Sequence, residues 1–286
     1  MKHLIAVCAA VLVSTISYGQ WQVSASSGYA IGSATMKLGE RINTSTMENS
    51  YGSYGEGTNF QLRGTYFFDD SFGFDLGVGY LHGTDQDVSI VDLPSTEVNA
   101  VARARAFGAS ASVVYKFTNN IYGRFGALIK LGGKTEGVIY QKSVFSEAEA
   151  EALGVPNGSY SETNYKEDFH GHFPLGFVGA LGYRHNLDAN FSLFAEVEYY
   201  GISLKRKDSE ISEFNTDIKL PDDTVAVSGF YSIDNLPEGI NKKTTYVDEL
   251  SNTNTDTTKE LSQKVPYSSF GLNIGITYKF AKANKE

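Results

Sequence analysis

The chain has 286 residues, with 33 acidic and 24 basic side chains and a formal net charge of −9. This acidity argues against a nucleic-acid-binding surface. A single cysteine excludes a disulfide framework and any multi-cysteine metal site. The chain is rich in glycine (29), tyrosine (18) and phenylalanine (18), a composition that is unusual for a helical protein.

The first nineteen residues have the pattern of a secretory signal peptide. A lysine follows the initiating methionine, residues 4–16 are almost entirely apolar, and small residues occupy positions 17 and 19. The apolar run of about thirteen residues is too short to cross ~30 Å of hydrocarbon as a helix. We expect cleavage before Gln20, which removes Lys2 and the only cysteine, Cys8. The exported chain then has no thiol, and its net charge changes from −9 to −10.

Eight later segments alternate between apolar residues and small or polar ones. In the first of them, the apolar residues Trp21, Val23 and Tyr29 stand at odd positions, and the polar residues Gln22 and Ser24 stand at even positions. A period of two indicates a strand with two unlike faces. The eight segments are residues 21–32, 59–68, 72–80, 107–117, 121–131, 172–184, 191–199 and 269–280.

The connections between these segments differ at the two ends. Three are tight, and the four others are long and polar. Short turns that alternate with long loops are typical of bacterial transmembrane barrels. The sequence therefore predicts an all-β fold, an eight-stranded antiparallel transmembrane β-barrel with short periplasmic turns and long extracellular loops. A soluble β-sandwich also alternates, but its connections tend to be short at both ends. The tight connections are 69–71, 118–120 and 185–190, and the long ones are 33–57, 83–101, 133–171 and 204–265.

Aromatic side chains favour the same topology. They collect at the short-turn end of the segments, where they would form a ring at one membrane interface. The ring comprises Trp21, Phe68, Phe72, Phe74, Tyr115, Phe117, Tyr183, Phe191, Tyr278 and Phe280.

Within the longest loop, residues 224–233 have β propensity. They pair either as a hairpin above the membrane, which the length of the loop and its acidic flanks favour, or as additional wall strands.

The last segment carries a recognisable pattern. Asn273, Gly275, Tyr278 and Phe280 follow the order polar-x-Gly-x-x-aromatic-x-aromatic. This pattern resembles the C-terminal assembly signal of outer-membrane barrels, and the chain resembles the small eight-stranded barrels of the OmpA, OmpX and OmpW type, especially the glycine-rich barrel proteins of Bacteroidota. The resemblance implies one barrel domain over residues 20–280, a periplasmic tail over 281–286, and location in the outer membrane of a Gram-negative cell. It also implies insertion by the barrel-assembly machinery.

Charged residues recur on the polar faces of the predicted strands. An eight-stranded barrel has an interior that side chains can fill, and charges there persist only when they are paired. Counted from the turn end, Arg63 lies at the height of Glu196 and Glu198, and Asp75 at the height of Arg124. We therefore predict an interior ion-pair network that plugs the lumen; an ion path or acid–base chemistry is the alternative. The network comprises Arg63, Asp75, Arg124, Lys130, Glu196 and Glu198.

Other polar clusters give weaker indications. His170 and His172 could share a strand face and hold a metal, although a polar rim is the simpler interpretation. Lys205, Arg206 and Lys207 open the longest loop. They could contact lipopolysaccharide phosphates or simply be a solvated strand extension. We predict no cofactor and no metal site.

Three functions remain open at this point. The first is a non-enzymatic outer-membrane protein whose long loops bind a partner, such as another outer-membrane protein in a larger complex. The second is a narrow channel for small or hydrophobic solutes, and the third is a lipid-modifying enzyme. The first is favoured because chemistry-bearing residues are sparse and the loops are large. Its partners would be outer-membrane lipid, lipopolysaccharide and other outer-membrane proteins, not nucleic acid.

Overall fold

The computed structural model describes residues 20–280. The predicted signal peptide and the predicted tail lie outside these residues. The described part consists of seventeen strands and one short helix. Eight strands match the alternating segments: β1 (Gln20–Gly32), β4 (Gly57–Phe67), β5 (Phe72–Gly83), β7 (Thr96–Lys116), β8 (Ile121–Val144), β10 (Leu175–Asn186), β11 (Phe191–Gly201) and β17 (Ser269–Lys279). The others are β2 (Met36–Asn43), β3 (Met47–Gly52), β6 (Gln86–Leu93), β9 (Tyr160–Gly171), β12 (Ser203–Lys219), β13 (Val225–Ser232), β14 (Lys243–Val247), β15 (Lys259–Leu261) and β16 (Lys264–Pro266), with the helix α1 (Glu147–Leu153).

The eight matching strands pair in a cycle. β1 pairs with β4, and antiparallel pairings continue through β5, β7, β8, β10 and β11 to β17. β17 then pairs back with β1 over eleven residue pairs, from Gln22 with Lys279 to Gly32 with Ser269. A sheet that closes on itself is a barrel without free edges. We call these eight strands the wall.

The wall is apolar outside and polar inside. Successive side chains of a strand point to opposite faces, so alternation along the sequence becomes a contrast between the two surfaces. On β5, Phe74, Leu76 and Val78 are 39%, 56% and 54% exposed, whereas Asp75 is 2% exposed. The same contrast holds on the other wall strands, where large exposed apolar residues alternate with buried serine, threonine, asparagine, arginine and glutamate. No helix within residues 20–280 is long and apolar enough to cross a membrane.

The tight connections lie at one end of the barrel, which we call the turn end. In each, a side-chain oxygen accepts two backbone N–H groups. The Asp69 carboxylate accepts from Ser71 and Phe72 at 2.7 Å, and the Asp188 carboxylate accepts from Asn190 and Phe191 at 2.7 Å. The Thr118 hydroxyl has the same role at 3.0 and 3.2 Å. These side chains supply acceptors for backbone N–H groups that a chain reversal otherwise leaves to water.

The opposite end, the loop end, is a sheet rather than a set of loops. β7 and β8 run for 21 and 24 residues, and pair with each other beyond the wall from Ala106 with Gly133 to Thr96 with Ser143. β9 then pairs with β8, and β12 pairs with β9. β13 folds back on β12 as a hairpin and adds nothing to the wall. We call strands β2, β3, β6, β9 and β12–β16, with these extensions, the loop-end sheet.

An apolar cluster fills the junction between the wall and the loop-end sheet. Tyr54, Leu204 and Val265 are each no more than 4% exposed, and the rings of Tyr54 and Tyr267 lie 5.8 Å apart. Small residues of β7, such as Ala104 at 0% exposure, leave room for these rings. The interior therefore changes from polar within the wall to apolar at its loop end.

Aromatic residues form two belts on the outer surface. The turn-end belt includes the predicted residues, with contacts such as Phe191 to Tyr278 at 5.1 Å between ring centroids. A second belt at the loop end was not predicted: Tyr80 lies 4.7 Å from Phe107, and Tyr199 lies 4.7 Å from Phe270. The prediction that aromatics collect at one end was therefore incomplete. Both ends of the apolar surface carry aromatic side chains.

Candidate functional site

Two carboxylates on β11 organise the interior of the wall. Glu196 accepts two hydrogen bonds from Arg63, at 2.9 and 3.2 Å, and two from Arg124, at 3.0 and 3.2 Å. The Tyr122 hydroxyl donates a fifth at 2.9 Å. The side chains of Glu196, Arg124 and Arg63 are 0%, 1% and 6% exposed. Charge-assisted hydrogen bonds of this length are strong in a dry interior.

Glu198 lies one step further toward the loop end on the same face. Its carboxylate pairs with Arg124 and accepts hydrogen bonds from Asn273 at 2.5 Å and Gln61 at 2.6 Å. The same Gln61 amide donates to the Tyr200 hydroxyl at 2.7 Å. Two guanidinium groups and two carboxylates are thus brought together, so the formal charges of the network balance.

The structure brings together only part of the predicted set. Arg63, Arg124, Glu196 and Glu198 form the network described above. Asp75 does not reach Arg124: it accepts a hydrogen bond from Thr65 at 2.7 Å. Lys130 lies away from the carboxylates, with its ammonium 5.4 Å from the ring centroid of Tyr267. Within residues 20–280, neither Asp75 nor Lys130 forms the predicted ion pair, although the charge of Asp75 acts on Arg63.

Strand register explains which charges meet. Arg124 pairs with Ala180 of β10, which pairs in turn with Glu198 of β11, so the two charged residues share one row. Asp75 pairs with Ser112, which pairs with Gly126 of β8. The row of directly paired residues that contains Asp75 therefore meets β8 two residues away from Arg124. Counting heights from the turn end ignores the stagger that a closed, tilted sheet imposes. Sequence analysis also missed the uncharged members Tyr122, Gln61 and Asn273, because neutral polar residues are common on every inward face.

A cavity of about 110 Å³ lies between the network and the apolar cluster. Its lining includes Lys130, Tyr200, Leu128 and Tyr267, together with the directly paired glycines Gly79 and Gly108, which contribute no side chains. The wall is therefore filled by polar groups below this level and by aromatic and aliphatic groups above it.

The residues of the predicted assembly signal have structural roles. Asn273 is 1% exposed and binds Glu198, as described above. A Cβ added to Gly275 would lie 2.4 Å from the carbonyl oxygen of Ala25 and 2.6 Å from the Phe194 ring, so only glycine fits there. Tyr278 and Phe280 belong to the turn-end belt, with ring centroids 5.0 Å apart. Their recognition by assembly machinery remains a prediction.

The basic triplet does not form one charged patch. Lys205 pairs with Asp248, and Lys207 lies 3.4 Å from Asp208. Arg206 is directed to the other face of β12, where its guanidinium carbon lies 4.7 Å from the ring centroid of Phe169. Neighbouring residues of a strand point to opposite sides, so the three charges cannot act on one ligand.

The histidines are distributed along the chain. His170 Nδ1 lies 2.8 Å from Asp208 Oδ1, and the ring of His82 lies 6.2 Å from that of Tyr80. Within residues 20–280, no group of three or more histidine, aspartate, glutamate or cysteine side chains could hold a metal ion. His170 and His172 therefore have no third ligand in the part of the chain that the structure describes.

The loop-end sheet has its own ion pairs. Glu136 binds Arg103 at 2.9 Å and Lys134 at 3.2 Å, and Lys134 also binds Asp168 at 2.8 Å. Burial by itself would raise the pKa of Glu136, but the hydrogen bonds from the two cations outweigh it and lower that pKa. By contrast, burial dominates at Glu167 and raises its pKa.

The comparisons with known proteins give structural matches only. No family model matches the chain, and no curated protein matches it. Among solved structures, Ail of Yersinia pestis, crystallised with a heparin analogue, is 10% identical, covers 92% of this chain and 99% of its own, and has a TM-score of 0.32. OprG of Pseudomonas aeruginosa is 12% identical over 92% of this chain and 96% of its own, with a TM-score of 0.33. Neisserial surface protein A is 13% identical over 91% and 97%, with a TM-score of 0.28. Scores this low carry no functional argument, so the function must be inferred from this chain's own residues.

Proposed function

We propose that this chain is an integral outer-membrane protein whose eight wall strands cross the membrane. The single observation that carries this proposal is the inverted surface of the wall. Large apolar side chains such as Leu76, Val197 and Ile274 are 56%, 56% and 66% exposed, while Arg63 and Glu196 are 5% and 1% exposed. Water would penalise such a large apolar surface, whereas lipid solvates it.

The spacing of the two aromatic belts supports the same conclusion. On β17, Phe270 of the loop-end belt and Tyr278 of the turn-end belt are eight residues apart, or about 27 Å along a strand. A strand tilted by about 40° then spans about 21 Å of height, close to the ~25 Å apolar band of outer-membrane barrels. We place the tight turns in the periplasm and the loop-end sheet outside the cell, the orientation usual for such barrels.

The interior arrangement supports a structural role for the lumen. Glu196, Glu198, Arg63 and Arg124 satisfy one another across the barrel, and Phe194 packs against Arg63 at 5.1 Å between guanidinium carbon and ring centroid. Balanced, fully buried charges hold the wall strands together and obstruct the lumen. The chain thus acts as a plugged, non-enzymatic anchor.

We assign partner binding to the loop-end sheet, and specifically to strand β13. β13 pairs with β12 along one edge, and its other edge has no strand partner among residues 20–280. Its sequence contains no charged residue, and Val225, Val227 and Phe230 are 47%, 41% and 36% exposed. Uncharged exposed edges are templates for added strands. The partner would be another outer-membrane or surface protein that contributes an extended segment.

The test is gentle detergent extraction of the tagged chain from its native outer membrane, followed by size separation and mass spectrometry. We expect a stoichiometric partner that is lost from Val227→Lys, because a charge on an edge strand blocks strand addition. Thr253→Lys is the matched control, since it adds the same charge at an exposed position away from β13. A barrel that migrates alone, or a partner retained by Val227→Lys, would contradict this role.

The cavity of about 110 Å³ keeps a narrow channel as a second candidate. A channel would need a path past Glu196 and Arg124. Conductance of the reconstituted chain measures such a path directly. Steady single-channel currents in the wild type, altered by Glu196→Gln without loss of stability, would favour the channel over the plugged anchor.

A further inference from the structure

We infer that the loop end of the wall carries a binding site for a phosphorylated glycolipid of the outer leaflet. This inference rests on the proposed membrane location. It concerns a depression of about 780 Å³ on the outer surface, where β10 and β11 meet the first residues of β12. The depression combines cationic groups above with an apolar floor below.

Two lysines of the depression face the same side. Lys205 of β12 pairs directly with Lys264 of β16 in an antiparallel register, which places both ammonium groups on one face. Like charges directly opposite each other destabilise a strand pair, and a bound anion would offset that repulsion. Lys205 has one carboxylate partner, Asp248, whose side chain is 72% exposed. Lys264 has no ion-pair partner among residues 20–280.

A histidine side chain borders the same depression. The backbone N–H of His172 donates to the carbonyl oxygen of Lys205 at 2.9 Å, which holds the connection between β9 and β10 against β12. The His172 side chain is exposed and lines the depression with both lysines. Two lysines and a histidine that line one depression supply hydrogen-bond donors for a phosphate monoester, which carries up to two negative charges.

The floor of the depression is apolar and unusually exposed. Phe173 and Leu175 are 71% and 74% exposed, and Phe177 is 44% exposed. Phe177 also contacts Tyr199 of the loop-end aromatic belt, at 5.6 Å between ring centroids. The cations therefore lie at the level where lipid head groups meet the hydrocarbon. A ligand with a phosphorylated sugar head and acyl chains matches both halves of the site, whereas a free phosphate matches only the upper half.

The test uses the full exported chain folded in neutral detergent micelles, with unfolding followed by the fluorescence of the single tryptophan, Trp21. The probes are lipid A, dephosphorylated lipid A and inorganic phosphate. We expect lipid A to raise the unfolding temperature in a saturable way, and its apparent affinity to fall at least about fivefold in Lys205→Ala/Lys264→Ala. The control Lys166→Ala/Lys243→Ala removes two lysines elsewhere on the loop-end sheet and should bind like the wild type.

Three results would overturn the inference: equal affinities in both double variants, equal binding of dephosphorylated lipid A, or an equal effect of inorganic phosphate. The last would assign the site to a free anion. A heat-dependent gel shift after reconstitution into vesicles tests membrane insertion separately. An inserted barrel without a lipid A effect refutes only the lipid site, whereas failure to insert refutes the proposed function itself.

Discussion

Replacement of Glu196 by glutamine tests the interior network most sharply. The substitution keeps the shape of the side chain but removes its charge, so Arg124 keeps Glu198, whereas Arg63 has no ion-pair partner left within residues 20–280. Glu196 accepts five hydrogen bonds from three residues and is fully buried. One of the charge-assisted contacts is replaced by an amide N–H that faces a guanidinium group.

The expected cost follows from burial. Removing one partner of a buried ion pair costs about 3–5 kcal/mol, because the remaining charge stays desolvated. The matched control is Glu213→Gln, which breaks a pair with Lys166 at 2.8 Å but whose carboxylate side chain is 63% exposed. Exposed pairs contribute about 0–1 kcal/mol. The same chemical change should therefore differ by several kcal/mol between the two positions.

The assay is reversible urea unfolding in lipid vesicles, followed by the fluorescence of Trp21, which is 50% exposed on the turn-end belt. A double variant that also replaces Arg63 by glutamine restores the charge balance and should recover part of the loss, as a coupling of about 1–3 kcal/mol. If Glu196→Gln loses less than about 1 kcal/mol, the loss expected for Glu213→Gln, the network is hydrated and does not hold the wall together.

Three further predictions concern the wall and the loop-end sheet. Gly275→Val should prevent folding or cost more than about 3 kcal/mol of stability, because the Cβ of valine would lie 2.4 Å from the Ala25 carbonyl oxygen. The yield of the heat-modifiable folded form measures this effect, and a near-wild-type yield would contradict the packing described. Leu76→Arg should destabilise the barrel in vesicles by about 2–4 kcal/mol, and Leu261→Arg by less than about 0.5 kcal/mol, although the two leucines are 56% and 58% exposed; equal effects would argue against a lipid-facing wall. The pKa of Glu136 is lowered in the folded chain, so its contribution to stability is present above the ordinary glutamate pKa and is lost as pH falls through the folded value. Protease resistance of the loop-end sheet should therefore decline in acid, and Glu136→Gln should flatten that decline.

The sequence predicted the wall well because a closed sheet in lipid leaves a strong periodic signal. Every second residue from Phe72 to Tyr80 must be apolar and its neighbours small or polar, and the same rule applies to each wall strand. The loop-end sheet lacks this contrast. β9 (Tyr160–Gly171) is half-buried on both faces and carries polar residues on both, so it resembles a solvated loop until its partners are known.

The contacts of the candidate site could not be predicted from alternation alone. Alternation places Arg124 and Glu198 inside the barrel, but it cannot give the register that joins them through Ala180. Likewise, nothing near Lys205 in the sequence indicates Lys264, because the long connection between them returns to the same row only in the folded chain. Register across distant strands depends on the closure of the whole sheet.

The orientation of the barrel in the membrane is the central claim, and site-directed labelling tests it most directly. Cys8 is the only cysteine and lies in the predicted signal peptide, so an introduced cysteine would be the only thiol of the exported chain. Thr253→Cys lies between β14 and β15, away from β13, and Ala189→Cys lies in a tight turn; both positions are exposed. On intact cells, a membrane-impermeant maleimide should label Thr253→Cys and leave Ala189→Cys unlabelled until the outer membrane is broken. Labelling of Ala189→Cys on intact cells, or protection of Thr253→Cys, would contradict the account.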